Sequence, residues 1–210
     1  MCHVDKNWRE IMTTPLALRD ASFATFLSAL LWDSWSHPET RRQATTWGLV
    51  AHVAFFGSSS DTARRLLGAP AFFYAHGVLA GWLQFTWFNP QLDLSDKVRA
   101  WGCTRAQAVA RTIVVHLLPL AAHWWTLLSE RAEWRRLYGG KSAIELAIRA
   151  LGPSFGLLLL YRHLYPSLTT TYNIKGVSDD KMGKLQTVAI AALNLGVVWP
   201  LWRRAVTGRH

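Results

Sequence analysis

Four histidines and one arginine lie inside long apolar runs of this chain: His52, His76, His116, His123 and Arg149. An ionisable group at bilayer depth is costly and is retained where it pairs or does chemistry. Glu145 precedes Arg149 by four residues, on one helix face and in the favourable Glu-before-Arg order. A local ion pair facing the bundle interior would satisfy both. His116 and His123 share a face but stand roughly 10 Å apart along a helix axis. They cannot hold one metal ion together, and no metal site is expected. A bis-histidine haem needs two histidines from different helices at one depth, as His52, His76 and His116 are placed to give. Polar contacts between helices use histidine equally well, so no haem is expected. Thr45 and Thr46 offer a hydroxyl nucleophile, which needs a base within hydrogen-bond reach. His116 lies on a different run, and spacing alone does not bring it to Thr45.

The runs that carry these residues are helices by physical necessity. Leu66 to Leu92, Thr112 to Ser129 and Leu185 to Trp202 contain no Asp, Glu, Lys or Arg. A spanning helix needs roughly 20 apolar residues, and inside lipid every backbone amide must be paired within its own segment. The reading is an all-α integral membrane protein, a bundle of about six transmembrane helices in one domain. The expected spans are 16–33, 43–60, 66–88, 108–129, 143–165 and 185–202. The first is the weakest, because Ala21 to Trp32 is a short uncharged stretch after Arg19 and Asp20. The fourth is expected to run on as a polar helix through SERAEWRRLY to Gly139 and Gly140. The fifth opens on a capping box, Ser142 three residues before Glu145.

Half of the 210 residues are hydrophobic, yet the formal net charge is +10. In a membrane chain such charge marks basic flanks that meet anionic headgroups rather than nucleic acid. Arg135, Arg136, Arg203 and Arg204 are the candidate headgroup contacts. Lys and Arg are spread almost evenly over the two sides, so orientation is not readable. There are 12 Trp, and many flank the runs: Trp32, Trp47, Trp87, Trp101, Trp124, Trp125, Trp199 and Trp202. Indole favours the headgroup region, although some of these must pack in the core. Cys2 and Cys103 make no disulfide framework, and no Asn-x-Ser/Thr acceptor occurs. An intracellular membrane is expected, and the polar N-terminus does not read as a secretory signal.

The order of motifs resembles one family. The second run reads TTWGLVAHVAFFG, the third APAFFYAHGVLAGWLQFTWFNPQLD, the fourth holds HLLPL, and Tyr165-Pro166 follows the fifth. These are similar to the androgen-inducible transmembrane hydrolases, membrane threonine hydrolases that cleave fatty acid esters of hydroxy fatty acids. The likeness covers nearly the whole chain. It implies Thr45 as nucleophile, His116 as base, and an acyl ester entering from the bilayer, as in the endoplasmic reticulum. The other reading is a non-catalytic, lipid-binding subunit of a large mitochondrial inner-membrane complex, of the respiratory chain or ATP synthase. Its partners would be other subunits and anionic lipid such as cardiolipin. The sequence leaves catalysis open.

Overall fold

The computed structural model describes residues 15–36, 41–88, 98, 102–172 and 176–208, and no strand occurs among them. The helices are α1 Pro15–Ser36, α2 Ala44–Phe56, α3 Asp61–Phe88, α4 Arg105–Ser129, α5 Arg131–Tyr138, α6 Ala143–Leu164, α7 Leu168–Tyr172 and α8 Asp179–Thr207. Four of them, over Asp61–Gln84, Arg105–Ser129, Ala143–Leu164 and Asp179–Thr207, are long and apolar enough to cross a membrane. The expected count of about six is not confirmed among the described residues. α1 is 22 residues long, but Arg19 and Asp20 lie within it. α2 has 13 residues and ends at Gly57 rather than Ser60. At 1.5 Å per residue it covers about 20 Å, short of a bilayer core of about 30 Å.

The helix starts are written in short polar signals. Thr104 accepts from the Gln107 amide while Gln107 returns a bond to the Thr104 amide, which caps α4. Ser142 accepts from the Glu145 amide at 3.1 Å at the start of α6, and Ser178 from the Lys181 amide at 3.3 Å at the start of α8. Two prolines mark the wide turns. Leu118 donates to Ile113 just before Pro119, and Trp199 to Asn194 just before Pro200. A proline ring collides with the carbonyl four residues back, and a π-turn relieves the collision within a continuing helix.

Contacts between helices fix their directions. Arg19 of α1 lies beside Glu130 at the end of α4. Arg64, at the start of α3, reaches the same carboxylate. Arg135 of α5 reaches the Ala205 carbonyl at the end of α8. These groups define one end of the bundle. At the other end Tyr161, late in α6, and Tyr172 of α7 meet the start of α2. The Thr169 amide donates to Asp179 at the start of α8. The main core joins Phe26, Leu49, Phe55, Phe72, Leu127, Trp134, Leu146 and Trp202. Several flanking tryptophans are therefore core residues. Trp202 is fully buried and Trp124 half-buried, whereas Trp32 and Trp125 are exposed. Cys2, Trp101, the Trp87 side chain and the acidic end of the third motif lie outside the described residues.

The expected polar continuation of α4 is interrupted. Glu130 leaves helical geometry, with φ −103 and ψ 33, and α5 begins as a separate helix. Its carboxylate is turned inward to Arg64 at 3.0 Å and Arg19 at 4.0 Å.

Candidate functional site

Thr45 is buried in the first turn of α2. Three phenols fasten that turn. Tyr172 accepts from the Ala44 amide at 2.9 Å, Tyr74 donates to the Ala44 carbonyl at 3.2 Å, and Tyr161 donates to the Arg42 carbonyl at 2.9 Å. His116 is buried in the π-turn of α4, where Nδ1 lies 3.0 Å from the Thr112 carbonyl. A carbonyl only accepts, so Nδ1 carries the proton and Nε2 is the basic nitrogen. The ring packs against Trp82, centroids 5.1 Å apart. Thr45 and His116 stand seven residues before His52 and His123, which touch each other, so the two lie at one level of the bundle. No hydrogen bond joins them among the described residues.

The other histidines are fixed in the core. His123 Nε2 lies 3.1 Å from His52 Nδ1, inside a ring of Phe26, Phe55, Phe56 and Phe72. One nitrogen donates and the other accepts, while His123 Nδ1 is buried without a partner. His76 is fully committed. Nδ1 donates to the Phe72 carbonyl at 2.7 Å, and Nε2 accepts from the Trp124 indole at 2.9 Å. Both nitrogens are used, which leaves none for a haem iron unless the Trp124 bond breaks. Among the described residues no group of three or more His, Cys, Asp or Glu is placed to hold a metal ion.

A charge cluster closes the end of the bundle that holds Glu130. Arg64 pairs with Glu130 and with Glu133, and Arg136 pairs with Asp61 at 2.8 Å. Arg19 stands over the Phe55 ring at 5.6 Å. Burial pushes the Glu130 carboxyl above its usual range, against the pull of Arg19 and Arg64.

Glu145 and Arg149 form an ion pair at 3.0 Å, with Lys141 on the same carboxylate oxygen at 3.0 Å. The pair faces outward, not into the bundle: the Arg149 side chain is 54% exposed. The outer face of α6, with Ile144, Ile148 and Leu159 exposed, is not covered by another helix among the described residues. Among the headgroup candidates, Arg135, Arg203 and Arg204 are exposed at one corner, whereas Arg136 is engaged by Asp61.

Sequence reasoning missed a cleft. It has a volume of about 570 Å³ and runs between α1 and α4. Ala24, Thr25, Ser28, Ala29 and Trp32 form one wall; Gln107, Ala110, Arg111, Val114 and Val115 form the other. The two helices are antiparallel, so Trp32, Gln107 and the buried Arg111 gather at one end. Ala24, Val114 and Val115 line the other end. Apolar and polar ends in sequence along one groove fit an amphiphile whose polar end sits near the start of α4. The pattern was present in the chain. Residues 107, 110, 111, 114 and 115 fall on one helix face, as do 24, 25, 28, 29 and 32. Neither Thr45 nor His116 lines this cleft.

No protein-family model, characterised protein or solved structure matches this chain.

Proposed function

We propose that this is a non-catalytic, multi-pass membrane protein that holds an acyl-chain amphiphile in the α1–α4 cleft and serves as a lipid-carrying subunit of a larger membrane assembly. The cleft carries the reading. It has a volume of about 570 Å³, a mostly apolar lining, and a polar end around Gln107, Arg111 and Trp32. The outward apolar faces of α6 and α8 suit burial against lipid or neighbouring subunits, and the basic helix ends suit a membrane rich in anionic lipid, such as the mitochondrial inner membrane.

The test uses the full chain purified in mild detergent and a photoactivatable long-chain fatty acid. Ala24→Trp and Ala110→Trp each place an indole in the cleft from an exposed position of its wall. Both are expected to lower labelling at least about tenfold, the loss that follows when roughly 1.4 kcal/mol of contact is removed. Unchanged labelling in both variants contradicts the reading.

The second reading is the ester hydrolase, with Thr45 as nucleophile and His116 as base. The shared level of the two residues and the basic Nε2 of His116 favour it. Two features favour the first reading instead: no hydrogen bond joins Thr45 to His116, and the cleft lies elsewhere. Ester hydrolysis by the purified chain that Thr45→Ala and His116→Ala both abolish, with the fold intact, would select the hydrolase.

A further inference from the structure

A basic corner lies on the outside of the bundle, apart from the cleft. The apolar run of α8 ends at Trp202, and its last turns carry Arg203 and Arg204, both exposed. α5 packs beside them with Trp134, Leu137 and Tyr138 turned inward, while Arg131 and Arg135 are exposed. Arg135 Nε lies 3.4 Å from the Ala205 carbonyl, and its guanidinium borders Gly208. Two helices distant in sequence thus bring Arg135, with Arg131 one turn before it on α5, against the end of the helix that carries Arg203 and Arg204.

Among the described residues, no carboxylate pairs with Arg131, Arg135, Arg203 or Arg204. The nearby acids are taken: Asp61 by Arg136, Glu130 and Glu133 by Arg64. Below the arginines the surface is apolar. Val197, Leu201 and Arg204 follow at steps of four and three, which places them on one helix face. Val197 and Leu201 are about half exposed. An apolar strip topped by exposed arginines, at the end of a helix long and apolar enough to cross a membrane, matches one ligand shape. That shape is acyl chains lying along the strip and a phosphate at the rim.

We infer that the corner formed by α5 and the end of α8 is a binding site for an anionic phospholipid of the adjoining leaflet. Arg135 and Arg204 hold the headgroup phosphate, and Val197 and Leu201 meet the acyl chains.

The experiment places the full chain in bilayer discs of phosphatidylcholine with a minority of phosphatidylglycerol or cardiolipin. Lipid retained on extraction is read by native mass spectrometry. The unaltered chain is expected to retain the anionic lipid selectively. The double variant Arg135→Gln/Arg204→Gln should retain it about 30-fold less, the factor for two interfacial arginines. Arg135→Lys/Arg204→Lys should keep most of the retention, which shows that a folded chain with the charges moved only slightly still binds. Lys181→Gln, exposed at the opposite end of the bundle, should change nothing. Equal retention by the Gln double variant and the unaltered chain would overturn the inference. So would displacement of the lipid by millimolar inorganic phosphate, which would mark a site for soluble anions. Loss of retention in Lys181→Gln would overturn it too, because the selectivity would then come from diffuse charge. If the Gln pair does not fold, Arg203→Gln/Arg204→Gln gives the same reading from two residues with no bond across helices.

Discussion

Glu130 shows how one side chain can organise an end of the bundle and carry a pH signature. Its carboxylate is turned inward to Arg64 and Arg19, and burial raises its proton affinity above that of an ordinary glutamate. The folded chain then binds this proton more tightly than the unfolded chain does. The stability that follows is present below the ordinary Glu value of 4.5 and is lost as pH rises through the higher native value. Glu130→Gln is expected to flatten the dependence of melting temperature on pH from 4.5 toward neutrality. An unchanged slope in this variant would mean that another group sets it. His76 carries the opposite lesson. With Nδ1 given to the Phe72 carbonyl and Nε2 to Trp124, it is a satisfied core group, and the apolar run around it could not reveal which partners it would find. The Glu145–Arg149 pair was legible from its spacing because both partners lie on one helix. Its outward direction was not, because direction depends on which helices pack against α6.

At the scale of elements, α3 runs on through Pro70 as one helix, and a distant tyrosine reaches its backbone just before that proline. The Tyr138 hydroxyl accepts from the Ala69 amide at 3.0 Å and donates to the Arg65 carbonyl at 2.9 Å. An uninterrupted helix would join those two groups to each other. Gly68 makes room, since a Cβ there would lie 3.2 Å from the Tyr138 oxygen. Pro70 follows directly, and an inserted side chain beside a proline is a recognised cause of helix bending. Tyr138→Phe removes both hydroxyl bonds to the α3 backbone. The expected cost is about 1–3 kcal/mol, read as a fall in the denaturation midpoint. No measurable change would show that the ladder closes without strain. The apolar runs made α4, α6 and α8 legible, and the Ser142 signal lies at the start of α6, whereas α8 begins at Asp179, behind the unread cap Ser178 and ahead of the expected 185. The breaks were harder to read. α2 stops at Gly57 rather than Ser60, and α4 parts from α5 at Glu130, because inward-turned side chains and neighbouring helices decide both.

For the molecule as a whole, helix composition fixes the class and helix packing fixes the site. Four apolar helices, a shorter α2 and a charged α1 form one bundle whose phenols, histidines and ion pairs are largely spent on holding helices together. Thr45 and His116 were candidates by residue type, the resemblance in motif order coupled them, and they share a level without a bond. The cleft did not come into view at all. Its walls are two helix faces, each ordinary alone, that make a groove only when α1 lies antiparallel to α4. The most direct measurement is therefore the position of lipid on the chain. Membranes containing the protein are irradiated with a photoactivatable fatty acid, and the labelled residues are mapped by mass spectrometry. Labels should concentrate within 24–32 and 107–115, and excess unlabelled fatty acid should suppress them. Labels spread over the outer faces of α6 and α8, with none in those two segments, would contradict a lipid-holding cleft.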